Sequence, residues 1–223
     1  MRVVIFGGTG MVGMGALLEC LEDARVSSVL VVGRRSVGIQ HPNLEEIIHQ
    51  DFFHYDAIQP RFADCDACFF CLGVSSVGMD ADTYHHLTYD LTMAAAQAML
   101  AANPQMTFCY VSGEGTDSSE RGRLMWARVK GKTENALLGM PFKASYMLRP
   151  GYIQPLKGVK SKTPLYQGVY NVLGWIYPAL HALLPRYTTT TVALGRSMIR
   201  LATVGDAQRV LSTAHINRVG GAA

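Results

Sequence analysis

The first fifteen residues constrain this chain most. Val3-Val4-Ile5-Phe6 is a short β-branched and aromatic run that ends in Gly7-Gly8-Thr9-Gly10-Met11-Val12-Gly13, and a helical apolar pattern with Leu17, Leu18 and Leu21 follows. The order is strand, glycine turn, helix. Gly8, Gly10 and Gly13 satisfy a G-x-G-x-x-G spacing, and Gly7, Gly10 and Gly13 the related G-x-x-G-x-x-G spacing. Each glycine has a physical task. The first permits a tight turn, expected at positive φ. Gly10 lets backbone N–H groups approach a pyrophosphate with no Cβ in the way, and Gly13 lets the helix lie close to the strand. The unpaired N–H groups and partial positive charge at the helix start then favour phosphates on the backbone of Thr9, Gly10, Met11 and Val12. A dinucleotide is the ligand that suits this arrangement. An ordinary glycine-rich turn between strand and helix is the alternative.

The chain has 223 residues, of which 49% are hydrophobic and 17% charged. That suffices for one α/β domain over residues 1–223, with 152–223 as a C-terminal helical region. The net charge is +3 and no dense Lys/Arg run occurs, so nucleic acid is not an expected partner. The five cysteines are an odd count, and the N-terminus begins on a strand with no secretory pattern. Both argue against a disulfide framework and make a reducing, cytoplasmic location the expectation. Cys68-Phe69-Phe70-Cys71 has C-x-x-C spacing but lies in an apolar run, residues 67–72, read as a buried strand. Residues three apart on a strand point to opposite faces. These are read as core cysteines, and no metal site is expected. His85 and His86 are neighbours on a helix, diverge by about 100°, and are read as solvated or packing histidines.

Residues 28–32 form a second apolar strand that ends in Gly33-Arg34-Arg35. About twenty residues beyond the glycines, an NAD-binding fold places an Asp or Glu for the ribose hydroxyls, whereas arginine there suits a 2′-phosphate. Arginine gives planar, charge-assisted donors worth roughly 1.5–3 kcal/mol per contact. NADP(H) is therefore expected over NAD(H), with Arg34 and Arg35 as its selectors and plain surface arginines as the alternative. Residues 44–49 form a weaker third strand ending in Gln50-Asp51-Phe52. In such a fold this loop borders the adenine, so Asp51 and Phe52 are candidate contacts, with a plain surface turn as the equal alternative. A fourth strand over 66–72 opens into a small-residue loop, where Leu72 and Gly73 are candidates to lie against the dinucleotide. A helix is expected over 80–102, capped by Asp80 or Asp82 and ended by Asn103-Pro104. A strand over 106–112, a helix over 121–138 and a strand over 144–148 follow. The alternation across residues 2–149 predicts a Rossmann-type, doubly wound parallel sheet covered on both faces.

With these elements in order, the sequence resembles the short-chain dehydrogenase/reductase superfamily. It looks most like its atypical or extended branch, including NmrA-like and epimerase/dehydratase-like proteins and the oxidoreductase-like Tat-interacting proteins. The resemblance rests on the Gly7–Gly13 turn, Gly33-Arg34-Arg35, Val111-Ser112, Trp126-Ala127-Arg128-Val129-Lys130 and Arg149-Pro150-Gly151. It implies a serine at the end of the fifth strand and a Tyr-x-x-x-Lys on the next helix. Ser112 and Lys130 match as catalytic candidates. Lys130 is also a cofactor candidate through the nicotinamide ribose, as is Pro150 beyond the sixth strand. The tyrosine position holds Trp126. An indole N–H donates a hydrogen bond but exchanges no proton at neutral pH, and losing a positioned general acid removes about 10²–10⁴ of rate. Tyr84, Tyr110 and Tyr152 are the alternative proton sources. The resemblance thus implies an NADP(H)-binding reductase or epimerase-like enzyme on a small or apolar carbonyl compound, or a non-catalytic NADP(H)-binding regulator or scaffold.

Between Thr163 and Pro185 the chain carries no Asp, Glu, Lys or Arg, and it is rich in aromatic residues. Gly168, Gly174 and Pro178 interrupt the run, so two helices meeting near Tyr177-Pro178 are expected rather than a membrane span. The run suits a pocket for a hydrophobic substrate, a homodimer contact or peripheral membrane association. The four threonines 188–191 offer a cap for a helix over 192–202, residues 206–211 suggest a last short element, and 220–223 suggest a frayed end.

Overall fold

The computed structural model describes residues 1–159 and 183–221. Seven parallel strands form the main sheet: β1 (Arg2–Phe6), β2 (Ser28–Gly33), β3 (Leu44–Ile48), β4 (Ala67–Phe70), β5 (Thr107–Val111), β6 (Ala144–Arg149) and β9 (Val210–Ser212). Their spatial order is β3-β2-β1-β4-β5-β6-β9. The chain therefore reverses direction across the sheet between β1 and β4, and a crevice opens beyond their carboxyl ends, where such sheets bind ligands. The doubly wound Rossmann-type fold expected from the alternation is present.

Alternate residues of each strand feed two separate cores. Val3, Ile5, Val29, Val31 and Phe69 face one side, packed with Leu17 of helix α1 (Met11–Glu22). Val4, Phe6, Leu30, Val32 and Phe70 face the other, with Met99 of α3 (Leu91–Ala102) and Leu137 of α4 (Met125–Gly139). Burying each such aliphatic or aromatic side chain contributes about 1.5–3 kcal/mol, which is why near-continuous apolar runs become strands here. Cys68 belongs to the second core while Cys71 packs against the first. The C-x-x-C pair is thus split across the sheet, and no metal-binding cluster occurs among the described residues.

Two helices differ from the expectations. The helix expected over 80–102 is α2 (Ala81–His85), a π-helical turn (His86–Asp90) and α3. Asp80 is the cap, its carboxylate accepting from the Thr83 amide at 2.8 Å. The wider turn brings both histidines to one carboxylate, with Nδ1 of His86 3.0 Å and Nδ1 of His85 3.5 Å from Asp90. Helix α4 starts at Met125 rather than Arg121 because Asp117 winds the preceding residues into a turn. Its carboxylate accepts from the amides of Ser119 at 3.0 Å and Gly122 at 2.7 Å.

The C-terminal part is more closely built into the sheet than a helical appendage. β7 (Tyr152–Gln154) pairs with β8 (Thr188–Thr190) in a two-stranded parallel ribbon. Thr190 caps α5 (Thr191–Thr203), its hydroxyl accepting from the Ala193 amide at 2.9 Å. The element expected over 206–211 is β9, the sheet's seventh strand. It leads into α6 (Thr213–Gly220), a helix not expected from the sequence, which runs up to the start of the 220–223 segment read as a frayed end. Gly220 is buried, and a Cβ there would sit 2.2 Å from the Ala193 carbonyl oxygen, so α6 docks closely on the start of α5. The two helices expected around Tyr177-Pro178 lie outside the described residues. Among the described residues no helix is long and apolar enough to cross a membrane.

Candidate functional site

The turn after β1 is held by its glycines. Gly7 has φ +80°, and a Cβ there would lie 2.8 Å from the carbonyl carbon of Cys71, so the turn runs directly against the backbone leaving β4. The Gly10 amide closes the turn on the Gly7 carbonyl at 2.8 Å. A Cβ on Gly13 would lie 2.2 Å from that same carbonyl oxygen. Gly10 is different: a Cβ there would meet only the Gly7 oxygen, at 3.3 Å. The space before it is open, and no side chain caps α1. The amides at Met11 and Val12 therefore head a helix whose first N–H groups have no intrahelical acceptor. Positive φ falls on Gly7, the first glycine of the longer spacing, while Gly8 packs against Val31.

One cleft opens from this turn and a second adjoins it. The first, of about 400 Å³, is lined by Gly7, Gly8, Thr9, Gly33, Arg34, Arg35, Phe52 and Leu72. The other, of about 510 Å³, is lined by Arg34, Gln50, Asp51, Phe52, Phe53, Leu72, Gly73, Val74, Leu87 and Leu91. Arg34, Phe52 and Leu72 belong to both. Eight cofactor candidates from the sequence thus line these two neighbouring clefts, while Gly10, Met11, Val12, Gly13, Lys130 and Pro150 line neither. Arg34 and Arg35 are exposed, and among the described residues neither guanidinium has an ion-pair partner. Asp51 lines the second cleft with its carboxylate already engaged, by the Phe53 amide at 3.0 Å and His54 Nδ1 at 2.8 Å, which holds its pKa down. Phe52 is wedged edge-on against Phe6, with ring centroids 6.2 Å apart. Gln50, Phe53, Val74, Leu87 and Leu91 were not anticipated. Gln50 and Phe53 flank the candidate pair, but Leu87 and Leu91 reach the cleft from the π-helical turn and α3, which no local pattern announces.

The second half of the site lies where β5 meets α4. The Lys130 ammonium donates to the Ser112 carbonyl oxygen, and burial pushes its pKa down to about 8, with the Glu134 carboxylate opposing. Ser112 turns its hydroxyl inward. Its Oγ donates to Glu134 at 2.5 Å and lies 3.1 Å from the Leu148 carbonyl oxygen, and the residue is 4% exposed. Both polar contacts of the Ser112 hydroxyl are thus to groups of the protein itself. Lys130 Nζ also stands near the next residue, Gly113, where a Cβ would be 4.0 Å from it. Glu134 is fully buried and is gripped by the Arg149 guanidinium, which also reaches the Ser118 hydroxyl at 2.5 Å. Sequence reasoning missed Glu134. The available signal was its place four residues after Lys130, which puts both on one helical face. Pro150 is buried beside this network, and its carbonyl accepts from the Glu114 amide at 2.9 Å.

Trp126 occupies the face of α4 one turn before Lys130. The tip of its indole lies against Gly115, where a Cβ would be 3.1 Å from Cη2. The alternative tyrosines do not replace a phenol there. Tyr84 and Tyr110 are 1% and 2% exposed, and burial raises the pKa of both. The Tyr152 hydroxyl donates to Gln154 at 2.9 Å.

Comparison with known proteins agrees with the fold. No family model matches the chain. It is 25% identical over 154 residues to "Protein FMP52, mitochondrial" of Meyerozyma guilliermondii, covering 69% of this chain and 65% of that one. It is 27% identical over 153 residues to "Protein HTATIP2" of Rattus norvegicus, covering 68% and 62%. The match thus spans just under two thirds of these relatives. Among solved structures, the Bordetella bronchiseptica enzyme WbmF in complex with NAD+ superposes with a TM-score of 0.67 at 16% identity, over 99% of this chain and 78% of that one. A structure of ElxO with NADPH bound superposes with a TM-score of 0.66 at 15% identity, over 95% and 96%.

The resemblance to the atypical short-chain dehydrogenase/reductases holds, in sequence and in fold.

The two solved structures hold nicotinamide dinucleotides, NAD+ in WbmF and NADPH in ElxO. The cytoplasmic expectation is corrected: the FMP52 relatives are named as mitochondrial proteins, and the absence of a secretory pattern does not distinguish cytosol from organelle.

Proposed function

We propose that this chain is an NADP(H)-binding, reductase- or epimerase-like oxidoreductase acting on a small or apolar carbonyl compound. The observation that carries the reading is the continuous cleft that joins the glycine turn to two unpaired arginines. The open space before Gly10, the uncapped start of α1 and the guanidinia fit a dinucleotide with a 2′-phosphate. In this reading Thr9, Gly10, Met11 and Val12 hold the pyrophosphate on their backbone, with Gly7 and Gly13 shaping the turn. Arg34 and Arg35 take the 2′-phosphate. Asp51 and Phe52 border the adenine, Leu72 and Gly73 lie along the ribose, and Lys130 and Pro150 flank the nicotinamide end. The bound dinucleotide supplies hydride transfer. Lys130 binds and orients through its ammonium. Ser112 acts from behind, as part of the buried bridge that fixes the β5 end and the Lys130 acceptor. The reading also places the protein with its FMP52 relatives in mitochondria.

A second reading is favoured by Trp126 and by the inward Ser112 hydroxyl: a non-catalytic NADP(H)-binding regulator or scaffold. One experiment separates the two. The NADPH-loaded protein is mixed with a panel of aldehydes and ketones, and nucleotide absorbance is followed through a single turnover. Loss of the dihydronicotinamide band with any of them supports the enzyme. Tight NADPH binding with no oxidation across the panel supports the regulator.

A further inference from the structure

Arg34 and Arg35 sit on a short connection between β2 and β3, and exposed arginines on a loose loop make poor selectors because each loses rotamer freedom on binding. This connection is not loose. The Glu46 carboxylate, from the middle of β3, accepts from the Ser36 hydroxyl and the Val37 amide, each at 2.7 Å. Ser36 Oγ in turn accepts from the Gly38 amide at 3.0 Å. On the other side of the pair, Gln50 Nε2 donates to the Arg34 carbonyl at 3.0 Å. The His49 amide donates to the Gly33 carbonyl at 2.9 Å, continuing the β2–β3 ladder to the base of the loop. A Cβ at Gly33 would stand 3.2 Å from the Arg35 carbonyl oxygen, so the chain doubles back closely there.

Both oxygens of Glu46 are spent on neutral donors of the loop, and neither pairs with an arginine. An acidic side chain beside a cationic selector would ordinarily neutralise it. Here the carboxylate fastens the backbone and leaves both guanidinia without ion-pair partners among the described residues.

We infer that Glu46, seconded by Gln50, is a positioning residue for nucleotide selectivity: it holds the Arg34-Arg35 connection so that both guanidinia face the ribose 2′ end of the cleft. The inference rests on the proposed function and adds the residues that set its cofactor preference. A group that only stabilised the fold would affect every adenine nucleotide alike. Glu46 acts chiefly on the 2′-phosphate, because the Phe52 wall is built without it and the glycine turn meets its loop only where Gly8 packs near Val37.

The test is a set of paired titrations of Glu46→Ala, Gln50→Ala and the unaltered protein, with NADPH against NADH and adenosine 2′-monophosphate against adenosine 5′-monophosphate. Glu46→Ala is expected to weaken NADPH and adenosine 2′-monophosphate about tenfold, the loss of roughly one charge-assisted contact, and to leave NADH and adenosine 5′-monophosphate unchanged. Gln50→Ala is expected to change the ratio in the same direction by a smaller factor. Should Glu46→Ala fail to fold, Glu46→Gln, which keeps an acceptor for the Val37 amide, carries the same expectation at reduced size. Equal losses for both members of each pair, or no change in either, overturn the role of Glu46. An unaltered protein with no NADPH preference would instead overturn the assignment of the arginines.

Discussion

Ser112 and Glu134, one on the end of β5 and one on α4, are joined by a hydrogen bond of 2.5 Å in the protein interior. Arg149, at the end of β6, closes on the same carboxylate. Three elements that converge on the candidate site are therefore tied through one fully buried acid. Removing one partner of a buried ion pair leaves an uncompensated charge, at about 3–5 kcal/mol. Glu134→Ala is expected to lower stability by that amount in chemical denaturation, and Ser112→Ala by about 1 kcal/mol. A Glu134→Ala loss under about 1 kcal/mol would show that the bridge does not hold these elements together.

The glycine turn separates two effects that the motif alone conflates. Gly13→Ala must push a methyl group against the Gly7 carbonyl, from an initial 2.2 Å. It is expected to destabilise the fold by about 1–3 kcal/mol or more. Gly10→Ala is far less crowded, its methyl meeting only the Gly7 carbonyl oxygen, at 3.3 Å, as it enters the space offered to phosphate. Its stability should change by less than about 1 kcal/mol while dinucleotide binding falls at least tenfold. Thermal melts with and without NADPH check both.

Arg34→Asp combined with Arg35→Ala should weaken NADPH far more than NADH in a fluorescence titration. Losing two charge-assisted donors predicts a drop on the order of a hundredfold for NADPH. Equal loss of both nucleotides would contradict the 2′-phosphate assignment.

Lys130 gives the account a pH dependence with two signs. Its folded pKa, about 8, lies below the ordinary lysine value of 10.5. Between those values the unfolded chain holds a proton that the folded chain has released, so this residue makes stability rise with pH across that window. Nucleotide contact runs the other way. The ammonium is present below about pH 8 and is lost as the pH rises through it, so NADPH affinity is expected to fall between pH 7 and 9. Lys130→Met should bind more weakly at pH 7 and show a flat profile. A profile that survives this substitution would assign the titration elsewhere.

Much of this was legible because parallel strands buried on both faces read as unbroken apolar runs. Val3–Phe6 and the strand holding Phe69 and Phe70 had few other solutions. The glycine spacing and Arg34-Arg35 were legible for a similar reason: backbone clearance and fixed charge are properties of residue type. What escaped depends on partners distant in sequence. Glu134 reads as a solvated helix acid until β5 and β6 bring Ser112 and Arg149 to it. The start of α4 was misplaced because Asp117 competes for the amides of residues 119 and 122. The π-helical turn leaves no periodic trace over five residues. α6 is only eight residues long, too short for its capping Ser212 and left-handed Gly221 to stand out as a helix in the sequence. The inward turn of the Ser112 hydroxyl is set by Glu134 and the Leu148 carbonyl, partners that a local motif does not contain.

The central claim is that the turn at Gly7–Gly13 and the arginine pair form one working NADP(H) site. A paired fluorescence titration of the purified protein with NADPH and NADH tests it most directly. The account predicts micromolar NADPH binding, clearly tighter than NADH. Failure of both nucleotides to bind, or NADH binding as tightly as NADPH, would contradict it.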